Sequence, residues 1–247
     1  MKKFYITTPL YYVNDEPHIG HAYTTILADV ISRIKKSQNY DVFFLTGTDE
    51  HGQKVQEAAE KRNVNPKSHV DEYVERFKNT WDKLDIDYDY FIRTTDENHK
   101  NKVKKILSDL YKKGEIYFDE YEGLYSVSEE RFITQKEMEE GNFREIKKIK
   151  EKNYFFKMSK YKLKLIDHIK TNEEFILPKS RRNEILGFLN NDLNDLCISR
   201  PKSRLSWGIE LPFDKDYVTY VWFDALINYI SAIGYSDNEE KFNHYWP

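Results

Sequence analysis

The sequence is poor in cysteine and has no long apolar run. One Cys in 247 residues cannot form an intrachain disulfide, and no Cys-x-x-Cys pair is present to bind zinc. No stretch approaches the roughly 18 apolar residues of a membrane span, and the N-terminus lacks the apolar core and small-residue cleavage site of a signal peptide. We therefore expect a cytoplasmic protein with no membrane contact.

An excess of charge of one sign is also lacking. Lys+Arg 39 against Asp+Glu 42 gives a formal net charge of −3, so the chain has no general positive field for nucleic acid. We expect no DNA binding, and any contact with RNA must be local. Aromatic residues reach 15%, enough large rings to offset the entropy of ordering the chain, which argues against intrinsic disorder.

The order of apolar runs predicts an α/β fold. Up to about residue 115, short apolar runs alternate with longer helical periods, which is typical of a parallel sheet. We predict strands at 3–8, 41–46 and 88–92. The first helix should begin at Pro17 and bury the apolar residues at 19, 23, 26, 27, 30 and 34. Residues 116–210 read as an inserted α+β module, and 211–247 return to the sheet.

A histidine motif, His18-Ile19-Gly20-His21, falls at the first turn of that helix. Two histidines three residues apart share one helix face, where free backbone N–H groups and the positive dipole end favour a polyphosphate. Gly20 leaves room for a flat base, and the imidazoles can donate hydrogen bonds to a transition state at phosphorus. The alternative is a pair of surface histidines that cap a turn.

Two further features suggest a ligand site. Asp49 follows the second strand, at the carboxyl edge where open α/β sheets bind ligands. Its carboxylate could pair with a substrate ammonium group or could cap the helix that follows. Trp222 and Tyr229 are seven residues apart on a predicted helix and share a face, which is either ordinary core or the wall of an apolar pocket.

Several segments together resemble class I methionyl-tRNA synthetases over essentially the whole chain. They are YITTPLYYVN at 5–14, PHIGH at 17–21, LTGTDEHG at 45–52, RRNE at 181–184, SR at 199–200, WGI at 207–209 and YVWFDA at 220–225. The resemblance implies a Rossmann-type parallel sheet with an inserted connective module. It also implies an enzyme that joins L-methionine and ATP into methionyl-adenylate and transfers the methionyl group to tRNA(Met), with Mg2+ accompanying ATP.

The resemblance also implies residue roles. His18 and His21 would stabilise the α-phosphate, Gly20 would contact the adenine, and Asp49 would bind the amino group of methionine. The methionine pocket as a whole would comprise Pro9, Leu10, Tyr12, Asp49, Trp222, Ala225 and Tyr229.

Two segments depart from the family pattern. Ser126 and Glu129 stand where many relatives have a Cys-x-x-Cys knuckle, so we predict no structural zinc and no other structural metal. The KMSK run at 157–160 looks like the lysine loop of the family, but Tyr161 follows it and an amphipathic helix begins there. We interpret that run as structural, with Ser159 able to cap the helix.

The length predicts a fragment. The resemblance places the end of the chain before the next sheet strand, so we expect the lysine loop and the anticodon-binding domain to be missing. One alternative is a non-catalytic fragment that only binds methionine. Another is a different nucleotidyltransferase of the same superfamily, although the insertion argues against it. The sequence assigns no oligomeric state.

Overall fold

The computed structural model describes residues 2–126, 128, 131–133, 138–139, 141, 143, 145–219 and 222–246, with Tyr121, Arg131 and Phe132 described by their backbone alone. The chain divides into two compact units, one of Met1–Ser108 with Arg200–Pro247 and one of Asp109–Ser199. The second unit therefore begins and ends earlier than the module predicted at 116–210. The segment from Arg200 belongs to the first unit because its strand pairs there.

A parallel sheet forms the centre of the first unit. Its strands are β1 (Lys2–Thr7), β2 (Tyr11–Tyr12), β3 (Tyr40–Asp49) and β4 (Tyr90–Arg93). β3 pairs in parallel with each of the other three, for example Lys2↔Tyr40 and Leu45↔Tyr90. The predicted parallel α/β fold is confirmed. β3 extends past the predicted end at residue 46, through Gly47, where a Cβ would lie 2.0 Å from the Ile92 carbonyl oxygen.

Helices connect and flank these strands. They are α1 (Ile19–Ser37), α2 (Gln53–Lys61), α3 (Pro66–Lys83) and α4 (Glu97–Lys112). α3 supplies much of the core, since Val70, Val74, Phe77 and Trp81 are fully buried. α1 connects β2 to β3, and α2 and α3 connect β3 to β4, which is the helical crossover that paired parallel strands require.

The prediction for α1 was wrong in two respects. The helix begins at Ile19 with His18 as its N-cap, not at Pro17. Its apolar stripe faces outward, with Ile19 87% and Tyr23 70% exposed, while its buried residues are Thr25, Ala28, Asp29 and Ser32. Hydrogen bonds explain the inward polar face: Thr25 Oγ1 lies 2.6 Å from Tyr11 Oη, and Asp29 Oδ1 accepts the Asp87 N–H at 2.9 Å.

The end of the chain completes the first unit. Strands β9 (Arg200–Pro201), β10 (Ile209–Leu211) and β11 (Asp214–Thr219) form a small antiparallel sheet in the order β10-β11-β9. The helices α7 (Trp222–Ser231) and α8 (Glu239–Tyr245) follow.

The second unit is an α+β module. Its antiparallel sheet contains β5 (Ile116–Ser126), β6 (Arg131–Ile133), β7 (Ile146–Phe156) and β8 (Leu196–Cys197) in the order β6-β5-β7-β8. A 3-10 turn at Met158–Tyr161 leads into α5 (Lys162–Thr171), and α6 spans Lys179–Asn190. Within the described parts of the chain, no helix is long and apolar enough to cross a membrane.

The KMSK run has contacts inside this module. Ser159 Oγ donates to Asp195 Oδ1 at 2.5 Å, and Lys160 forms an ion pair with Glu115. These contacts agree with the structural interpretation of the run, because both polar side chains stabilise the turn that precedes α5. The capping role expected for Ser159 was wrong, since the N-cap of α5 is Tyr161 and Ser159 bonds to Asp195 instead.

Candidate active site

The two histidines of the motif cap the first turn of α1. The Gly20 N–H donates to His18 Nδ1 at 3.1 Å, and the His18 N–H donates to His21 Nδ1 at 3.3 Å. The two rings stack with centroids 3.7 Å apart, and His21 also lies 4.8 Å from the ring of Tyr11. The capping alternative therefore describes the observed contacts, and two backbone N–H groups expected to be free are occupied.

These contacts still leave a donor on each ring. Because both Nδ1 atoms accept a hydrogen bond, each neutral imidazole carries its proton on Nε2. Burial, with a smaller contribution from the neighbouring His18 ring, lowers the pKa of His21 and favours this neutral form. Two Nε2–H donors at a helix N-terminus are suited to phosphate oxygens.

Gly20 favours this arrangement. A Cβ at residue 20 would lie 3.0 Å from His18 Cε1 and 3.1 Å from His18 Nδ1, closer than normal van der Waals contact. The space beside Gly20 is thus used by the imidazole of His18. Contact with an adenine ring, which we predicted for Gly20, stays a prediction.

Asp49 lies at the carboxyl end of the sheet. It is the last residue of β3, is almost fully buried, and its backbone pairs with Tyr12 of β2. The helix that follows begins at Gln53 with Gly52 as its N-cap, so the capping alternative for Asp49 is wrong. Tyr12 is half-buried, and Leu10 and the exposed Pro9 precede it in the turn between β1 and β2.

The other predicted pocket residues lie on α7. Trp222, Ala225 and Tyr229 are all within this helix, and none of them is fully buried. The Tyr5 hydroxyl donates to the Tyr229 carbonyl at 2.7 Å, which ties α7 to β1. Burial raises the pKa of Tyr229, so its phenol stays protonated. The structure thus places α7 beside β1, the strand that precedes Pro9 and Leu10.

A buried ion pair next to Asp49 was not foreseen from the sequence. Glu50 is fully buried; its Oε1 accepts from Thr48 Oγ1 and Arg93 Nε, each at 2.7 Å. Its Oε2 accepts from Arg93 Nη2 at 2.8 Å and Thr95 Oγ1 at 2.6 Å. Such fully satisfied, bidentate pairing fixes the backbone at the end of β3.

A second buried pair was also missed. His51 Nδ1 lies 2.7 Å from Asp224 Oδ2, and both side chains are excluded from solvent. The signal was present, because a carboxylate inside the otherwise apolar start of α7 needs a buried partner. The sequence alone did not show which of the seven histidines provides it.

A cavity of about 510 Å³ lies elsewhere in the first unit, beside α4 and α8. Its cations have partners: Lys102 Nζ contacts Asp237 Oδ2 at 2.8 Å, and Lys241 Nζ donates to the Ala232 carbonyl at 3.1 Å. No predicted site residue is among the described residues that line it. It therefore adds nothing to the candidate site.

The prediction about zinc stays a prediction. Ser126 Oγ lies 2.9 Å from Ser128 Oγ, while Glu129 lies outside the described residues. Among the residues whose positions are described, no group of three or more His, Cys, Asp or Glu side chains could hold a metal ion.

Comparisons with known proteins show the family of this chain. The sequence model described as tRNA synthetases class I (M) matches residues 4–142 and 140–247, and the chain belongs to this family. The chain is 49% identical over 251 residues to the methionine–tRNA ligase of Caldanaerobacter subterraneus subsp. tengcongensis, and 51% identical over 252 residues to that of Clostridium acetobutylicum. Each alignment covers 100% of this chain and 39% of the relative.

A solved structure is similar over the whole chain. The crystal structure of Mycobacterium tuberculosis methionyl-tRNA synthetase bound by methionyl-adenylate matches with a TM-score of 0.93 and 41% identity, covering 100% of this chain and 50% of that one. The resemblance inferred from the motifs and the Rossmann-type fold are both confirmed. The chain spans about two fifths of the length of its curated relatives.

Proposed function

We propose that this chain is the part of a methionine–tRNA ligase that binds ATP and L-methionine and forms methionyl-adenylate. In this reaction a carboxylate oxygen of methionine bonds to the α-phosphorus of ATP, and the bond to the departing pyrophosphate breaks. The observation that carries the proposal is the pair of Nε2–H donors at the start of α1, in a chain so similar to a synthetase crystallised with methionyl-adenylate.

The proposed roles follow from position and chemistry. His18 and His21 donate to the α-phosphate as charge develops on it, and the adenine lies near Gly20. The buried carboxylate of Asp49 binds the ammonium group of methionine. The side chains at Pro9, Leu10, Tyr12, Trp222, Ala225 and Tyr229 surround its thioether, for which aromatic walls are suited.

Mg2+ and tRNA(Met) belong to the same proposal. Mg2+ retains several water ligands and binds mainly through substrate phosphates, so ATP can bring it without a dedicated cage of carboxylates. The methionyl group would then pass to the terminal ribose of tRNA(Met), in the cytoplasm where tRNA is charged. Charging of a tRNA(Met) transcript with labelled methionine tests this second step.

Methionine-dependent exchange between ATP and pyrophosphate tests the first step. It should be measured on the 247-residue chain and on a version extended to full length with the remaining segment of the Clostridium acetobutylicum relative. Exchange by the extended chain is expected, and its absence would refute the proposal. If the 247-residue chain binds methionine in calorimetry without catalysing exchange, then this part alone is a binding fragment.

Substitution of one histidine tests the phosphate role. In the extended chain, His21→Ala should lower kcat for exchange by about 100-fold and change KM for methionine by less than about threefold, since the contact forms in the transition state. His168→Ala, at an exposed histidine of the second unit, is the control and should leave both constants unchanged. Equal effects of His21→Ala on kcat and KM would count against this role.

A further inference from the structure

The His51–Asp224 pair joins two segments that are 173 residues apart. His51 is 3% exposed and Asp224 is not exposed at all, so the 2.7 Å contact is shielded from water. A carboxylate oxygen accepts, so the imidazole donates its Nδ1–H to Asp224 Oδ2. A hydrogen bond with no competing solvent is a strong positional constraint.

Both partners are close in sequence to proposed pocket residues. His51 is two residues after Asp49, and two residues of extended chain span at most about 7 Å. On the other side, Asp224 lies in the first turn of α7, directly before Ala225 and two residues after Trp222. The bond therefore connects the segment proposed to bind the ammonium group with the helix proposed to surround the thioether.

Several other contacts hold the segment around His51 in place. The Trp207 ring lies 5.5 Å from the His51 ring, and its Nε1–H donates to the Glu50 carbonyl. The Gly52 N–H in turn donates to the Trp207 carbonyl at 3.3 Å. With the Glu50–Arg93 ion pair immediately before it, the segment at 50–52 is held independently of α7.

The position of the Asp224 carboxylate depends on its hydrogen bond with His51. Asp224 Oδ1 is buried and has no hydrogen-bond partner among the described residues, so Oδ2 alone anchors this carboxylate. Farther along α7, Ser231 Oγ lies 2.9 Å from His99 Nδ1, which holds the other end of the helix against α4. The Asp224 side chain is thus fixed to the end of the parallel sheet through His51, and the His99 ring lies beside the backbone of the same residue.

We propose that His51 and Asp224 are positioning residues for methionine, which set the separation between the Asp49 carboxylate and the α7 wall of the pocket. This inference rests on the proposed function, because it assigns both segments to one amino-acid site. The pair contacts neither ATP nor the reacting atoms, so its loss should weaken methionine binding and leave ATP binding unchanged.

Two substitutions that each introduce a side-chain amide at residue 51 test this inference. In the extended chain, His51→Asn places an amide N–H near the position of Nδ1, whereas His51→Gln places it near Nε2. We expect His51→Asn to keep KM for methionine within about threefold of the unsubstituted chain and His51→Gln to raise it about tenfold, with KM for ATP changed less than twofold in both. Equal KM values for methionine in the two variants would overturn the inference.

A stability control separates positioning from general loss of structure. Leu107→Ala removes a fully buried side chain two turns beyond His99 on α4, and it should lower the melting temperature while leaving KM for methionine unchanged. An equal rise in KM for methionine in Leu107→Ala would also overturn the inference. If His51→Gln does not fold, Asp224→Glu, which moves the carboxylate by one methylene, should raise KM for methionine instead.

The two proposals fail in different ways. No exchange by the unsubstituted extended chain refutes the proposed function and removes the basis of this inference. Normal exchange, together with KM values for methionine that do not depend on where the residue 51 donor lies, refutes the positioning role alone.

Discussion

Helices α1 and α3 have nearly the same length, 19 and 18 residues, and bury opposite kinds of side chain. α3 turns its apolar residues inward, whereas α1 turns small and polar residues inward and leaves its apolar stripe exposed. Both helices are clearly amphipathic in sequence. Apolar periodicity thus identifies a distinct face of a helix, but it does not show what covers that face.

The inward face of α1 is instead specified by hydrogen bonds. Asp29 accepts from the Asp87 N–H and from Arg33 Nε, and Thr25 is paired with the hydroxyl of Tyr11. The inward face of α3 is specified by side-chain packing, since Phe77 and Trp81 pack their rings against Tyr11. Substitutions in the two helices should therefore act through different physical effects.

The largest effect is expected from Trp81→Ala in α3. Removing a fully buried indole leaves a cavity, so the free energy of unfolding should fall by about 3–5 kcal/mol. Urea titration of the 247-residue chain measures it. The matched control is Tyr23→Ala in α1, a large aromatic that is 70% exposed, which should change stability by less than about 0.5 kcal/mol. Similar losses in both would mean that the α1 stripe is covered.

The second-largest loss of stability is expected from a substitution in α1. Asp29→Ala leaves the Asp87 N–H without its acceptor and removes the ion pair with Arg33, so it should cost about 1–3 kcal/mol. Asp82→Ala, at an exposed aspartate of α3, is the control and should be close to neutral. A neutral Asp29→Ala would show that hydrogen bonding does not specify the inward face of α1.

A pH-dependent effect should come from α3. His69 is buried, its Nε2–H donates to the Val13 carbonyl at 3.1 Å, and Arg62 Nη1 contacts Nδ1 at 3.0 Å. Burial, reinforced by Arg62, lowers the pKa of His69. A lowered folded-state pKa stabilises the fold above the unfolded value of about 6.5, and this contribution is lost as the pH falls below it.

Unfolding free energies at pH 7.5, 6.5 and 5.5 measure this effect. The unsubstituted chain should lose more stability on acidification than His69→Gln does. The control His168→Gln, at an exposed histidine, should follow the unsubstituted chain. Parallel pH profiles for His69→Gln and the unsubstituted chain would contradict the assignment.

The smallest change in stability is expected at the helix starts. α3 begins with Asn65, whose Oδ1 accepts the Ser68 N–H at 2.8 Å, whereas α1 begins with His18. Asn is the better N-cap, so His18→Asn should raise the free energy of unfolding by about 0.5 kcal/mol and Asn65→His should lower it by a similar amount. In the extended chain, His18→Asn should nevertheless slow exchange. A stabilised chain with normal exchange would separate His18 from catalysis.

Much of the fold and part of the site could be predicted from the sequence. Alternating strands and helices predicted the parallel sheet, and Asp49 lies at the end of a strand as expected, while the ligand-binding roles of His18, His21 and Asp49 stay predictions. The orientation of α1 could not be predicted, because Thr25 and Asp29 are buried by partners far away in sequence. The His51–Asp224 pair was missed for the same reason, since local patterns carry no information about a partner 173 residues away.

The capping contacts at the start of α1 also couple the structure of this helix end to the protonation of His21. His21 can gain a proton on Nδ1 only by releasing the His18 N–H that it accepts, which loosens the first helical turn. Acid would therefore fray the turn and charge the ring in one event. His18 and His21, which we propose to bind a nucleotide phosphate, therefore also make the start of α1 sensitive to acid.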